Sequence, residues 1–176
     1  MYVHIVGILA ALSAFPCSVL AECVLFEGQQ AKLSYRLNIS AEECKYVRYN
    51  GGGVVTLDVR YPDMKIVYPR VINDSIVSIY LVSISRGYNQ DAIFEGRQPI
   101  SSKGGVVTYE DGGRMLRRFI GSDGSPVAVS DGAYARRAHH MFNEKLRVSY
   151  QYTLMHEDLR RMDDFVIDLI NKIIVM

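Results

Sequence analysis

Residues 106–132 read VVTYEDGGRMLRRFIGSDGSPVAVSDG, a series of short strand-like runs separated by turns that contain glycine. Asp-Gly pairs between such runs are a strong hairpin signal, because both turn positions tolerate a positive φ. The third turn, Asp131-Gly132, leads into one more run. The predicted strands are Val106–Tyr109, Arg114–Ile120, Val127–Val129 and Ala133–Ala138. The stretch therefore predicts an antiparallel meander.

The residues before the meander predict further strands and one short helix. Ser75–Ser85 is the strongest strand, since it is long and rich in β-branched residues, and we expect it to lie centrally in the sheet. Ser40 followed by Glu43 forms a capping-box pattern, which predicts a helix from Ala41 to about Tyr49. The other predicted strands are Leu33–Leu37, Val54–Val59 and Ile66–Tyr68.

After the meander, the alternating run Leu146–Leu154 predicts the strand that closes the sheet. A helix is predicted from about Glu157 to Ile174, with one apolar face. Its apolar positions are Leu159, Met162, Phe165, Val166, Leu169, Ile170 and Ile173, and Asp163 is placed among its polar positions. We therefore expect an α+β fold in which this amphipathic helix packs on one face of a mainly antiparallel sheet.

The first 21 residues have the pattern of a signal peptide. An apolar stretch runs from Ile5 to Phe15, and Val19-Leu20-Ala21 suits signal peptidase, so we expect cleavage after Ala21. Glu22 stands directly before Cys23, where a lipoprotein signal needs a small residue, and no lipid anchor is predicted. The expectation is a signal peptide at 1–21, one domain at 22–176 and a periplasmic location.

The cysteine count agrees with export. Cys17 falls in the predicted signal peptide, which leaves Cys23 and Cys44. An even pair in an oxidising compartment favours a disulfide over two buried free thiols. We expect this bond to tie the mature N-terminus to the first helix.

The overall composition excludes two classes of protein. The chain of 176 residues is 49% hydrophobic, 22% charged and has a formal net charge of +1. A disordered chain needs lower hydrophobicity and a larger net charge. A nucleic-acid binder relies on an excess of basic residues, which this chain lacks.

The sequence contains no clear catalytic or cofactor pattern, and no cofactor or metal is predicted. His139-His140 is interpreted as part of a loop that enters the last strand, and neighbouring strand residues point to opposite faces. His156 is placed near the N-cap of the final helix. Asp123 and Asp131 lack the ordered spacing of a calcium loop and are interpreted as turn residues, although a role for calcium in a complex is left open.

Arg86–Lys103 is the longest stretch predicted to be irregular, with a short helix around Gln90–Glu95. Loops on a rigid sheet supply the protruding side chains that binding to another protein needs, and Tyr is favoured at interfaces. The predicted partner-binding residues are Tyr88, Asn89, Asp91, Glu95 and the hairpin residues Asp111 and Asp123.

The meander, the strand VSYQY at 148–152 and the helix DDFVIDLINKI at 163–173 together resemble Mog1/PsbP-like domains. Periplasmic immunity proteins against effectors of type VI secretion systems include similar domains. The resemblance implies a non-enzymatic protein that occludes the active site of a secreted bacterial toxin, and it transfers no residue's role. The alternatives are a secreted hydrolase or carbohydrate-binding protein that uses dispersed carboxylates, such as Asp91 and Glu95, and a structural subunit of the cell envelope. A homodimer is compatible with each of these functions.

Overall fold

Two antiparallel sheets and a C-terminal helix form the framework of the computed structural model, which describes residues 22–25, 35–69, 71–84 and 88–175. In chain order the elements are β1 (Glu22–Leu25), β2 (Tyr35–Asn38), α1 (Ala41–Cys44), β3 (Arg48–Tyr49), β4 (Val54–Arg60), β5 (Lys65–Val67), β6 (Ile76–Ser83), a 3-10 helix (Gln90–Phe94), β7 (Pro99–Lys103), β8 (Val106–Asp111), β9 (Arg114–Ile120), β10 (Pro126–Asp131), β11 (Ala135–Met141), β12 (Leu146–Thr153), α2 (Leu159–Ile173) and β13 (Ile174–Val175). The predicted signal peptide lies outside the described residues.

The larger sheet has the strand order β3-β4-β6-β12-β11-β10-β9-β8-β7, and β5 pairs with β4 outside this path. Five consecutive strands, β8 to β12, follow one another as neighbours, so the predicted meander is confirmed. Gly112, Gly113 and Gly124 in its turns all have positive φ, as the Asp-Gly pattern requires. The α+β class and the central position of β6 are also confirmed.

One face of the large sheet is apolar and packs against α2. A single row across the sheet joins Leu57, Ile79, Tyr150, Ala138 and Val129 on five neighbouring strands, and all five side chains are buried. From α2 this core receives a buried stripe that includes Met162, Val166 and Ile170. Burial of this stripe is the main term that holds the helix on the sheet.

The opposite face of the large sheet is more polar. The adjacent row joins Thr56, Tyr80, Ser149, His139 and Ala128 on the same five strands. This alternation follows from the two-residue period of a strand, which sends neighbouring side chains to opposite faces. The 3-10 helix lies on this second face.

A small sheet with the order β1-β2-β13 joins the two ends of the described chain. Next to it, Cys23 and Cys44 form the predicted disulfide, with their Cα atoms 5.7 Å apart. The bond links β1 to α1, as expected from the sequence. The small sheet itself was not predicted, because β13 is a two-residue strand that pairs only through β2.

Several predicted boundaries were wrong. The first helix ends at Cys44 instead of Tyr49, because Arg48–Tyr49 pairs with β4 and sheet pairing overrides the local helix pattern. The stretch predicted to be irregular up to Lys103 ends in strand β7, an edge strand exposed along its whole length, which therefore shows no apolar alternation.

The last predicted strand also has a different place. β12 lies inside the sheet between β6 and β11 and does not close it. The prediction was wrong because the local sequence pattern carries no information about the long-range pairing of β12 with β6. His139 and His140 lie within β11 and not in a loop. The N-cap of α2 is Asp158, while His156 Nε2 bonds to the carbonyl oxygen of Asp74.

Candidate partner-binding site

The segment 88–97 crosses the polar face of the large sheet and carries four of the predicted partner-binding residues. Asn89 caps its 3-10 helix, since Asn89 Oδ1 accepts from the backbone N–H of Asp91 at 3.0 Å. The amide of Asn89 also donates to Glu95 Oε1 at 3.1 Å, which links the start of the segment to its end. These bonds give the segment a defined conformation.

Two buried side chains fix this segment to the sheet. Gln90 is only 5% exposed, and its Nε2 donates to the carbonyl oxygens of Pro126 (3.1 Å) and His139 (3.0 Å). Phe94 is buried in a small apolar cluster with Leu116 and Ala128. The segment is therefore a rigid part of the surface, which favours recognition at a low entropic cost.

Two of the predicted acidic residues of this region are already paired with arginines. Asp91 Oδ2 lies 2.6 Å from a guanidinium nitrogen of Arg118, and Asp111 Oδ1 lies 2.9 Å from one of Arg97. Because these pairs are partly exposed, each contributes little to stability. They neutralise two of the carboxylates that the sequence had suggested as charged contacts, while Glu95 accepts from Asn89.

A cleft of about 450 Å³ lies between the segment and the sheet. The side chains of Leu116 and Ala128 line it together with polar side chains from the segment and from β11 and β12. Tyr88 and Asp111 line the cleft as well. The structure thus brings five of the six predicted residues to one side of the sheet, with Tyr88 and Asp111 in the cleft wall itself.

Arg147 on β12 lines the same cleft and holds Tyr88 in place. Its guanidinium donates to the Tyr88 hydroxyl and lies 5.1 Å from the centre of the Tyr88 ring. Tyr88 keeps 38% of its surface exposed, so it combines a fixed position with an accessible face. This combination suits an interface anchor.

His139 also lines the cleft, and the positive charges near it change its titration. Its Nδ1 lies 2.8 Å from Ser149 Oγ. Burial, followed by the charges of Arg147 and Arg137, lowers the pKa of His139 to about 4. The imidazole is therefore neutral at neutral pH, and the local field is positive.

Asp123, the sixth predicted residue, lies at the β9–β10 turn and faces the helix side of the sheet. Asp123 Oδ2 is 2.9 Å from Nε2 of His140, and the other ring nitrogen of His140 is 2.9 Å from Asp163 Oδ1. Tyr150 donates to the same Asp163 oxygen at 2.7 Å. We call Asp123, His140, Tyr150 and Asp163 the histidine network.

The two carboxylates of the histidine network favour a positive charge on His140. Burial acts to lower the pKa of His140, but the hydrogen bonds and charges of Asp163 and Asp123 outweigh it and raise the pKa. In the imidazolium form both ring nitrogens donate, so neither has a lone pair to accept a proton from a substrate. The geometry fits a structural link between the β9–β10 turn and α2 better than a general base.

Sequence reasoning missed this network because Asp163 was placed on the polar side of α2. Asp163 is in fact 1% exposed. A signal was present: Asp163 lies four residues after Leu159 and three before Val166, within the apolar stripe. A carboxylate at such a position requires a buried partner, and His140 supplies it. The prediction that His139 and His140 face opposite sides of the sheet is confirmed.

Within the described ranges, no three His, Cys, Asp or Glu side chains are placed together as a metal site. In the same residues, no helix is long and apolar enough to cross a membrane.

The comparisons with known proteins find a likeness in structure and none in sequence. No protein-family model matches the chain, and no curated protein matches it. The fold is similar to that of an immunity protein of the Stenotrophomonas maltophilia type IV secretion system, with a TM-score of 0.58 and 16% sequence identity. The match covers 89% of this chain and 94% of that chain. At this identity the likeness establishes a shared fold.

Proposed function

We propose that this chain is a non-enzymatic immunity protein that is exported and neutralises a secreted bacterial effector by binding to it. The observation that carries the proposal is the fold shared with a secretion-system immunity protein over nearly the whole of both chains. Fold alone does not define function. The proposal therefore also depends on the site, which must offer a rigid surface able to recognise another protein.

The cleft and the segment 88–97 meet that requirement. The segment is fixed to the sheet through Gln90 and Phe94 and presents Tyr88 beside a partly apolar cleft. Rigid aromatic anchors next to a pocket are typical of binding hot spots. We propose that an effector inserts a loop here and that the immunity protein then covers the effector's active site.

Export to the periplasm belongs to the same proposal. The Cys23–Cys44 disulfide fits an oxidising compartment. The signal peptide at 1–21, the cleavage after Ala21 and the Mog1/PsbP-like assignment stay predictions. The type VI system of the sequence resemblance and the type IV system of the structural neighbour are alternative routes of delivery for the effector.

The hydrolase alternative has less support. The two carboxylates given as examples for it make other contacts: Asp91 pairs with Arg118, and Glu95 accepts from Asn89. In the histidine network both imidazole nitrogens already face carboxylates. We therefore infer that the side chains here serve binding and stability.

The test is protection of a bacterium from a candidate effector. Each candidate, taken from the genes beside this one, is directed to the periplasm of a sensitive strain with and without the full chain. We expect growth to be restored by the full chain and lost when residues 1–21 are deleted, because the protein then stays in the wrong compartment. If only the form without residues 1–21 protects the strain, export is contradicted. If neither form protects against any candidate effector, the immunity role is contradicted.

A further inference from the structure

Two arginines on the polar face of the sheet carry positive charge without a carboxylate partner. Arg147 on β12 lines the cleft, and Arg137 lies on the neighbouring strand β11. Neither forms an ion pair with any of the residues that the structure describes. By contrast, Arg118 and Arg97 on the same side are paired with Asp91 and Asp111. The positive charge is therefore concentrated beside the cleft.

Both arginines lie close enough to His139 to affect its pKa, which burial lowers most. Burial is the largest cause of the low pKa of His139, and the charges of Arg147 and Arg137 are the next. Both guanidinium groups therefore contribute positive potential at His139. His139 also lines the cleft and stays neutral, and it adds no charge of its own. Arg147 and Arg137 contribute the positive charge at the cleft that no carboxylate of the described residues balances, since Arg97 and Asp111 in its wall pair with each other.

Two buried polar atoms of the cleft-lining residues have no hydrogen-bond partner among the described residues. They are Gln90 Oε1, an acceptor, and Arg147 Nε, a donor. Gln90 as a whole is 95% buried. Buried polar groups are almost always paired in native structures, and unpaired ones require an explanation. A bound group that brings both an acceptor and a donor satisfies this pair.

We propose that the cleft binds an acidic loop of the effector, with an Asp or Glu carboxylate facing Arg147 and a backbone N–H facing Gln90. This inference rests on the proposed function and names the chemistry of the partner. A protein loop fits better than a small anion, because it supplies the donor as well as the carboxylate. Arg137 adds long-range attraction, which speeds the encounter of oppositely charged surfaces.

The test compares variants of the full chain after export and purification, by calorimetry with the effector that the protein protects against. Arg147→Gln removes the charge that faces the carboxylate, and we expect Kd to rise about 30-fold or more, as for truncation of a buried charge pair. Arg161→Gln is the matched control, because Arg161 is exposed on α2 on the opposite side of the sheet. We expect its Kd to stay within twofold of wild type.

Arg147 also contacts Tyr88, so Arg147→Gln could change the conformation of the segment 88–97 as well as the charge. A second variant changes the charge without this contact. Arg137→Gln changes an exposed side chain, and we expect it to slow association several-fold at low salt and little at high salt. Replacing the effector's acidic loop residue with Gln should cost as much as Arg147→Gln, and the two changes together should add little more.

The outcomes separate the two proposals. Wild-type binding that is unchanged by Arg147→Gln and Arg137→Gln, with folding confirmed by thermal unfolding, overturns the acidic-loop inference and leaves the immunity role standing. A loss of affinity in Arg161→Gln as large as that in Arg147→Gln overturns the inference as well. Absence of binding by the wild-type protein overturns both.

Discussion

His140 shows how one side chain can decide whether two elements stay joined. It lies in β11 and is fully buried, and its two nitrogens face Asp123 in a turn and Asp163 in α2. Gly121 makes room for this contact, because a Cβ there would lie 2.9 Å from Asp163 Oδ2 and 3.0 Å from the His140 ring. The contacts of His140 therefore link α2 and the β9–β10 turn to the sheet.

The pKa shifts predict how stability depends on pH. The pKa of His140 is raised above 6.5, so its stabilising charge is fully present below pH 6.5 and is lost as pH rises through the folded-state value. The pKa of Asp123 is lowered below 3.8, so its contribution is present above that pH and lost as pH falls through the folded-state value. We expect the network to stabilise the fold most between these two pH limits. Urea unfolding at pH 5.5 and 8.5 measures the loss of stability at the upper limit, where His140 loses its charge.

The matched variant is His140→Asn, which leaves the carboxylates of Asp163 and Asp123 without their cation. Breaking a buried ion pair on one side costs about 3–5 kcal/mol. We expect a loss of this order at pH 5.5 and a smaller loss at pH 8.5. An equal loss at both pH values contradicts the charged form of His140.

At this scale the sequence predicts residues only where the signal is local. The Cys23–Cys44 bond followed from counting the cysteines left after the predicted cleavage. Arg147 and Gln90 were missed, because their roles depend on the cleft that strands β9 to β12 form with a distant segment. The local sequence does not show whether an arginine has a carboxylate near it in the folded structure.

Among the helices and strands, α2 gives the most direct prediction about stability, because its apolar face is buried against the sheet. Phe165 is buried, and its ring packs edge-on against Tyr61 with the ring centres 5.0 Å apart. Phe165→Ala leaves a cavity between the helix and the sheet, and we expect the free energy of unfolding to fall by about 3–5 kcal/mol. Thermal or urea unfolding measures it, with Asp168→Ala on the exposed side of α2 as control. A loss below about 1 kcal/mol contradicts the packing of this stripe.

Strands and turns with local signals were predicted well. The meander follows from its Asp-Gly turns, and α2 follows from its apolar period. β7 and β13 were missed because one is exposed throughout and the other has two residues, so neither shows alternation. The position of β12 depends on pairing with β6, more than sixty residues away, which only the whole fold determines.

At the scale of the whole molecule, the two faces of the large sheet have separate tasks. The face under α2 contains the apolar core and the histidine network, which hold the fold. The other face carries the segment 88–97, the cleft and the unpaired arginines. Under the proposed function, this division separates the surface that binds the effector from the core that stabilises the fold.

Stoichiometric inhibition is the central claim, and a titration of effector activity with the purified mature protein tests it most directly. At effector concentrations far above Kd, we predict that activity falls linearly and reaches zero at one equivalent of the protein, for a 1:1 and for a 2:2 complex alike. Effector activity that is unchanged at several equivalents, or that is abolished by a small fraction of one equivalent through turnover, contradicts the account.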